Sequence, residues 1–543
     1  MKNLSFILLL LYALSLSAQH SLPNQYIFRV YLKDKGSVNY SVEKPLEFLS
    51  QTAIDRKKRQ CVGIDSSDFP ISPDYFRQME LNNAKVVAFS KWFKTLAIQV
   101  NDSLQIAAIA SLPFVDSVKY VWRGQMHKNS TDTRPRLGMP ECDGLVSSGN
   151  LFGITEKQFE LHNAQTMIRA GFRGKGIRVA VIDAGFTNVD VIPYFKGSNI
   201  SGSKSFVPTG HLFSASDHGA KVLSAMAINH PGIMMGSAAE AIYLLLRSED
   251  ERSEFPVEED YWVRAIEYAD SVGVDLVNTS LGYHTFDDAS LNYSHSQLTG
   301  RVSLMSLAAD KAFDKGILVV CSAGNEGPQG KITSPGDALN VLTIGAIRLD
   351  SAIVSFSSRG PTADRRIKPD LVSVGKQTVA IGDDGLLGSA SGTSLSAPFL
   401  AGLAASLWSI NPDVNRSQVI DIIRRSSDRY LSPDTVYGYG IPDFRKAMAE
   451  MLRTLPEHQG QVSDSACLIF HQDDGYTVRL QNPDLPTSLY SLKVIDESGN
   501  VVSNVEFEKQ NEAHIACAKT ERGKTLFFIL KNPIRQKTYR LKL

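Results

Sequence analysis

The chain has 543 residues, 43% of them hydrophobic, so it is long enough for about three domains and can bury a sizeable core. Its 57 Lys and Arg residues balance its 57 Asp and Glu residues. Without a net charge, the chain has little to attract nucleic acid or an anionic membrane surface, and both function classes are disfavoured.

Residues 1–18 have the features of a secretory signal peptide. Lys2 is followed by an apolar run from Leu4 to Leu16, and the small residues Ser17 and Ala18 come next. The run is too short for a comfortable membrane span, and no later segment reaches about 18 uninterrupted apolar residues. We therefore expect an exported protein, secreted or at the cell surface, with no transmembrane span in its mature form.

Residues 19–124 are predicted to form a small α+β domain. Periodicity predicts strands over 26–32, 84–89, 92–100 and 115–122, and helices over 46–59, 73–81 and 103–111. Residues 125–153 are polar and rich in Gly, Pro, Ser and Thr, which is typical of a linker. An exposed linker is where a protease can cut, so processing between domains is expected here.

Residues 154–455 alternate short apolar runs with helix-length segments. Strands are predicted over 177–182, 241–246, 276–280, 317–321 and 341–346, and helices over 219–228, 257–272, 304–315 and 394–410. Such alternation predicts an α/β domain with a mostly parallel sheet flanked by helices on both faces. Active sites of these sheets lie at the carboxyl ends of the strands.

Residues 460–543 switch to short strands with turns, predicted over 466–470, 476–480, 489–495 and 525–530, which indicates a β-sandwich module of about 80 residues. Two of the five cysteines, Cys467 and Cys517, fall in this segment and could pair, although the sequence leaves the pairing open. Cys321 lies in an apolar run and is most simply a small buried side chain. No CxxC motif or Cys/His cluster occurs, which disfavours a structural zinc site.

Three short motifs carry groups suited to nucleophilic catalysis. Asp183 ends the apolar strand of VAVIDAGF, His218 begins a helix in SDHGAKV, and Ser394 lies in the small-residue turn of SASGTSLSAPFLAG. A serine hydroxyl needs a base to take its proton and a third group to orient that base. A fourth motif, VVCSAGNEG, places the Asn325 amide where a developing oxyanion must be held.

These four motifs, in this order, resemble those of the subtilisin-like serine peptidase family (peptidase S8), over roughly residues 150 to 450. The resemblance implies that Asp183 orients the base, His218 is the general base, Ser394 is the nucleophile and Asn325 is the oxyanion donor. The chain departs from the commonest family pattern at Ala184, after the acid, and at Ala220, after His-Gly. Neither change removes a catalytic group, so they bear on fine specificity.

The segment NTSLG (278–282) resembles the family segment that pairs with the substrate backbone, which implies protein or peptide substrates. The substrate-binding residues would be Ser280, Leu281, Gly282, Ala323 and Gly324. Their small side chains favour a roomy apolar pocket with broad preference. In the following loop, Asp287, Asp288 and Asn292 are candidate calcium ligands, but solvated loop carboxylates are far commoner, and we predict neither a metal nor a cofactor.

The resemblance extends to both flanking domains. An α+β unit ahead of such a catalytic domain is similar to the family's inhibitory pro-segment, which would make the protein a zymogen; the alternative is an unrelated binding domain. In the C-terminal module, SLKVIDESGNVV and the final KTYRLKL resemble the sorting domain of the type IX secretion system, whose machinery would then be a partner. A plain accessory β-sandwich is the alternative there.

Three functions fit these motifs and this domain organisation. The first is a secreted serine endopeptidase that cleaves peptide bonds through an acyl-enzyme. The second is an adhesion or scaffold protein built on an inactive protease fold, which is disfavoured because no triad member is missing. The third is an esterase or amidase, which is disfavoured because NTSLG is a peptide-binding segment.

Overall fold

The computed structural model of the chain describes residues 25–125, 150–328, 331–472, 475–507, 511–516 and 524–542. The predicted signal peptide, most of the predicted linker, Cys142 and Cys517 lie outside the described residues. Cys467 is buried, and its pairing with Cys517 stays a prediction.

The N-terminal domain is a four-stranded antiparallel sheet, in the order β2-β3-β1-β4, with helices packed on it. Its elements are β1 (Gln25–Leu32), α1 (Gln51–Arg59), α2 (Pro73–Leu81), β2 (Lys85–Ser90), β3 (Thr95–Val100), α3 (Ile106–Ala110) and β4 (Val115–Gly124). The helix predicted over 46–59 ends at Arg59 as expected but begins only at Gln51, because the Ser50 side chain accepts a hydrogen bond from the Ala53 backbone N–H and caps α1 there. The strand predicted from residue 92 begins only at Thr95, since Lys94 has a φ of 54° and turns the chain.

A seven-stranded sheet forms the central domain, in the order β13-β12-β11-β10-β5-β9-β6, and every neighbouring pair is parallel. The strands are β5 (Arg178–Asp183), β6 (Asn199–Ser205), β9 (Ile242–Arg247), β10 (Leu276–Thr279), β11 (Leu318–Ser322), β12 (Leu342–Ile347) and β13 (Leu371–Val374). The short pairs are β7 (Asn229–His230) with β8 (Met234–Met235), and β14 (Thr378–Ile381) with β15 (Leu387–Ala390). The helices are α4 (Glu156–Leu161), α5 (Gln165–Ala170), α6 (His218–Ala227), α7 (Val257–Val272), α8 (Leu304–Asp314), α9 (Thr393–Trp408), α10 (Arg416–Ser426) and α11 (Phe444–Arg453).

Both faces of this sheet are buried. Along β5, Val179 and Val181 belong to the core that α6 and α9 cover, whereas Ala180 and Ile182 belong to the core that α7 and α8 cover. The expected parallel sheet flanked by helices is therefore confirmed. The two edge strands, β6 and β13, were not predicted, because the first is polar (NISGSKS) and the second has only four residues.

The C-terminal module consists of two facing sheets, in the orders β16-β24-β23-β20-β21 and β17-β18-β19-β22. The strands are β16 (Glu457–Gln459), β17 (Gln461–Ser463), β18 (Cys467–Gln472), β19 (Gly475–Leu480), β20 (Ser491–Ile495), β21 (Val501–Glu506), β22 (Glu512–Ala516), β23 (Thr525–Lys531) and β24 (Gln536–Lys542). Ile469 and Val478 of one sheet share a core with Leu492 and Phe528 of the other, which is the predicted β-sandwich. Among the helices described, none is long and apolar enough to cross a membrane.

Candidate active site

Asp183 and His218 form a hydrogen-bonded acid–base pair at the carboxyl edge of the central sheet. Asp183 is the last residue of β5, His218 is the first residue of α6, and 2.6 Å separates Asp183 Oδ1 from His218 Nδ1. Asp183 is fully buried, and its Oδ2 has no hydrogen-bond partner among the residues described. Because the carboxylate accepts the proton on Nδ1, the neutral ring keeps Nε2 as an acceptor.

The charges around His218 favour its protonated form. Burial by itself lowers the pKa of His218, but the charge and hydrogen bond of Asp183, with smaller contributions from Glu249 and Glu251, outweigh burial and raise the pKa to about 9. The ring becomes a proton acceptor only as the pH approaches that value. The arrangement therefore suits a base that works in neutral to alkaline solution.

Ser394 is the second residue of α9, with 8% of its surface exposed. A Cβ at Gly392 would lie 2.7 Å from Ser394 Oγ, so a glycine leaves room for this hydroxyl. Helices α6 and α9 both contact Ser237 about two turns from their starts, since Ser237 Oγ donates to Ala225 O and a Cβ at Gly402 would overlap that same hydroxyl. Ser280, which directly follows β10, donates from Oγ to Ser394 O, and β10 is paired with β5, so Ser394 lies at the same sheet edge as Asp183 and His218.

No hydrogen bond joins the Ser394 hydroxyl to the His218 ring in the described part of the chain. Such bonds are often long before substrate binds and tighten in the substrate complex.

Asn325 follows β11 and is tied to the start of α9. Its Oδ1 accepts hydrogen bonds from the Thr393 backbone N–H (2.9 Å) and from Thr393 Oγ1 (3.0 Å). Because a backbone N–H can only donate, the atom that faces it is the oxygen, and Nδ2 is left for a ligand. A Cβ at Gly392 would lie 3.9 Å from Asn325 Nδ2 as well as near Ser394 Oγ, so both groups border one space. This role of Thr393 was not predicted from the sequence.

The predicted substrate-binding segments converge beside Ser394. Ser280 Oγ donates to Ser394 O (3.0 Å), and Leu281 and Ala323 are buried. A Cβ at Gly282 would lie 2.3 Å from Thr333 Oγ1, and one at Gly324 would lie 3.2 Å from the same atom. Gly324 has a φ of 104°, a conformation that favours glycine. Thr333 therefore packs against both segments, and no motif in the sequence marks it.

The three candidate calcium ligands are each bonded within the protein. Asp287 Oδ2 accepts from the Glu254 backbone N–H (3.1 Å), Asp288 Oδ1 from the Ser290 backbone N–H (3.1 Å), and Asn292 Oδ1 from the Phe286 backbone N–H (2.6 Å). A different group of carboxylates, Glu249, Glu254 and Glu258, has its oxygens within 4.8 Å of one another. We call these three residues, which no sequence motif marks, the acidic cluster.

Two family models match the chain. Residues 174–440 match the subtilase family, peptidase S8, and residues 27–135 match the peptidase S8 propeptide domain of Bacteroidota. The chain is 28% identical over 314 residues to serine protease AprX of Bacillus subtilis (strain 168), covering 52% of this chain and 68% of that protein. Over 284 residues it is 28% identical to subtilisin of Bacillus pumilus, covering 51% of this chain and 92% of that protein. Subtilisin E of Bacillus subtilis is 29% identical over 283 residues, covering 51% of this chain and 67% of that protein.

Proposed function

The chain belongs to the subtilase family of serine endopeptidases, and on that premise we propose that it is a secreted enzyme that cleaves peptide bonds with Asp183, His218 and Ser394. The observation that carries the residue assignment is the meeting of the four motifs at one sheet edge. The Asp183–His218 hydrogen bond of 2.6 Å lies at the end of β5, and Asn325 is tied to Thr393 beside Ser394. These two contacts support the roles that the resemblance in sequence implies.

The reaction begins at the Ser394 hydroxyl. Nε2 of neutral His218 takes the hydroxyl proton as Oγ bonds to the scissile carbonyl carbon, and the carbonyl π electrons move to its oxygen. Asp183 holds the ring in the tautomer that leaves Nε2 free and stabilises the imidazolium that forms. His218 then gives the proton to the leaving amine as the C–N bond breaks, and water repeats the sequence to release the acid.

The tetrahedral oxyanion is held by Asn325 Nδ2 and by the backbone N–H at the start of α9. These donors are fixed before the reaction, since Thr393 holds the Asn325 carbonyl and the helix holds its own first turn. Because charge develops on the oxygen only in the transition state, such donors lower the barrier more than they strengthen ground-state binding.

Ser394→Ala tests this assignment. Removing a nucleophile of this type lowers turnover by about 10⁶, so casein digestion by the variant should fall to background. Ser409→Ala is the matched control, because Ser409 is buried just after the last residue of the same helix. Digestion of casein by Ser394→Ala at a tenth of the parent rate would refute the assignment. Cleavage of small esters but not casein by the parent would favour the esterase.

We also propose that the N-terminal domain inhibits the enzyme until it is cut away. The propeptide match supports this role, and so do the contacts between this domain and α7. Arg29 binds Asp260 through two hydrogen bonds (2.8 and 2.7 Å), and Glu267 accepts from the backbone N–H groups of Lys91 and Trp92 (2.9 and 3.0 Å).

Comparison of the N-termini of the parent protein and of Ser394→Ala tests whether the N-terminal domain is cut away. The parent should acquire a new N-terminus within residues 125–153, whereas Ser394→Ala should keep the N-terminal domain. N-terminal sequencing of both proteins distinguishes these forms. An active enzyme that retains residues 25–122 covalently would show the domain to be an accessory.

Export is the remaining part of the proposal. It is supported by the apolar run after Lys2, by the propeptide match and by the resemblance of the C-terminal module to a type IX sorting domain. The protein should be recovered outside the cells that make it. Deletion of residues 460–543 should retain it inside cells if that module is the sorting signal, and should leave export unchanged if it is an accessory module.

A further inference from the structure

Strand β23 of the C-terminal module is apolar on both of its faces. Leu526 and Phe528 belong to the core between the two sheets of the module, whereas Phe527 and Ile529 belong to the core of the central domain. Ile495, at the end of the neighbouring strand β20, is fully buried in that same central core. An antiparallel sheet with one face in water alternates apolar and polar residues, whereas a strand covered on both faces is apolar throughout. The outer face of this sheet is therefore covered by the central domain.

Basic side chains of the module bind the carbonyl ends of two helices of the central domain. Lys493 Nζ donates to Arg169 O, in the last turn of α5 (2.9 Å), and Arg540 Nη1 donates to Arg453 O, at the last residue of α11 (3.3 Å). Carbonyl groups in the last turn of a helix have no partner within the helix, and positive charge is favoured at that end of the helix dipole. The module therefore caps α5 and α11.

The helix that carries the candidate nucleophile also ends against the module. Gln536 Nε2 lies 3.5 Å from the carbonyl oxygen of Ser409, which directly follows α9. Trp408, the last residue of α9, belongs to the same core as Phe527. The module thus packs at the end of α9 that is opposite to Ser394.

Two further contacts fix the position of the module. The turn between β20 and β21 fits closely against α5 and α11, since a Cβ at Gly499 would overlap Met448 Cε and would lie 2.7 Å from Thr166 Cγ2. Lys531, at the end of β23, forms an ion pair with Glu240 of the central domain at 2.5 Å. Apolar burial, helix capping and an ion pair therefore act across one interface.

The connection between the central domain and the module is short and packed. Only residues 454–456 join α11 to β16. Leu455 is 7% exposed, belongs to the core of the central domain, and donates its backbone N–H to Leu452 O (3.3 Å). Proteases cut exposed segments, such as the polar linker predicted over 125–153, and this connection does not resemble one.

We propose that the C-terminal module is a permanent part of the catalytic unit, which stabilises the central domain through α5, α9 and α11 and stays bound to it in the mature protein. It differs in this from the N-terminal domain, which is expected to be cut away. Separation would return Phe527, Ile529 and Ile495 to water, which is unfavourable. The inference depends neither on the proposed peptidase activity nor on whether the module also directs export.

Tryptophan fluorescence tests the coupling between the two domains. All four tryptophans lie outside residues 460–543, so their fluorescence follows unfolding of the rest of the chain. In the full-length Ser394→Ala protein, Phe527→Ala should lower the Tm measured in this way by about 5 °C or more, because it leaves a cavity between the domains.

Phe470→Ala is the matched control. Phe470 lies in β18 of the other sheet, is partly exposed, and alternates with Ile469, which faces the core of the module. Its ring is covered by Arg479 of the same sheet. The control should lower the Tm by less than about 2 °C.

A milder pair of variants keeps the test valid if Phe527→Ala fails to fold. Lys531→Gln removes the ion pair with Glu240 and should lower the same Tm by about 2–4 °C. Lys537→Gln removes an ion pair with Asp464 that lies within the module, and it should leave this Tm unchanged within about 1 °C.

Two results would overturn the inference. The first is a Tm that Phe527→Ala and Lys531→Gln change no more than their controls do. The second is an active mature protein without residues 460–543; intact mass and size-exclusion chromatography should instead find these residues bound to the central domain, even where the connection has been cut. A parent that digests no casein but shows the expected Tm differences would refute the proposed function and leave the inference standing.

Discussion

Helix α7 carries a buried carboxyl group near each of its ends, Glu258 and Asp270. The two differ in whether the side chain of a Lys or Arg residue faces them. Asp270, near the end of the helix, faces Arg56 and Lys57 of the N-terminal domain at 2.5 and 3.1 Å. Glu258, near its start, faces Glu249 and Glu254. All of these side chains except those of Glu249 and Glu254 are buried.

Two buried carboxyl groups therefore shift in opposite directions on one helix. Burial would raise the pKa of Asp270, but the charges of Arg56 and Lys57 outweigh it and lower the pKa to about 2. Burial raises the pKa of Glu258 well above its ordinary value, and Glu249 and Glu254 raise it further. The direction of the shift therefore depends on whether a cation or further carboxylates face the buried group.

The largest effect on stability is expected from removing the charge of Asp270, which is paired with Arg56 and Lys57. Asp270→Asn leaves Arg56 and Lys57 buried without their full counter-charge, which typically costs about 3–5 kcal/mol. We expect the free energy of unfolding of the full-length Ser394→Ala protein to fall by this amount in urea titration. The background variant keeps the N-terminal domain attached during the measurement.

Asp74→Asn is the control for this change. Asp74 pairs with Arg77 in the same domain, and both side chains are about two-thirds exposed, at 65% and 66%. An exposed pair contributes about 0–1 kcal/mol, so this variant should change little. Equal losses in both variants would show that the buried pairs do not hold the interface.

An intermediate effect is expected from pH, because Asp183, with smaller contributions from Glu249 and Glu251, raises the pKa of His218. Its pKa of about 9 means that imidazolium, which cannot accept the Ser394 proton, persists above neutral pH. The kcat/KM for a neutral peptide should therefore rise about tenfold per pH unit and level off near that pKa, giving about 10² between pH 7 and 9. Asp183→Asn should lower the apparent pKa, since Asp183 is the main group that raises it. A profile that levels off below pH 6 would contradict this prediction.

The smallest effect is expected from removing the charge of Glu258. This change should stabilise the protein, whereas Asp270→Asn should destabilise it. A carboxyl whose pKa is raised by folding stabilises the folded state below its ordinary pKa, and that stability is lost as the pH rises toward the folded value. Glu258→Gln mimics the protonated form, so it should stabilise the protein by about 1–2 kcal/mol at pH 8 and by nearly nothing at pH 5. Thermal unfolding of the Ser394→Ala background at both pH values measures this difference. Destabilisation at pH 8 would mean that a cation stabilises the ionised carboxylate, in addition to the Asp250 backbone N–H that donates to it.

Local patterns predicted the central elements closely. The helix predicted over 257–272 is α7 itself (Val257–Val272), and the one predicted over 73–81 is α2 (Pro73–Leu81). These segments have strong apolar periodicity and clear ends, Pro73 at the start of α2 and Gly273 after α7. The edge strand β6 lacks such a pattern, because one of its sides has no sheet neighbour and its residues are polar.

The motifs alone predicted the subtilase family, the layered α/β fold and four candidate catalytic residues, because each of these residues lies in a contiguous motif at the end of a strand or the start of a helix. What lies between the motifs became visible only in the folded chain. Thr333, the bond from Thr393 to Asn325, and the acidic cluster are contributed by different loops. The balance of charge around a buried carboxylate was also beyond the sequence, since Arg56 and Asp270 are 214 residues apart. Parallel strands bring distant loops to one edge, and that proximity, unlike a motif, has no signature in the local order of residues.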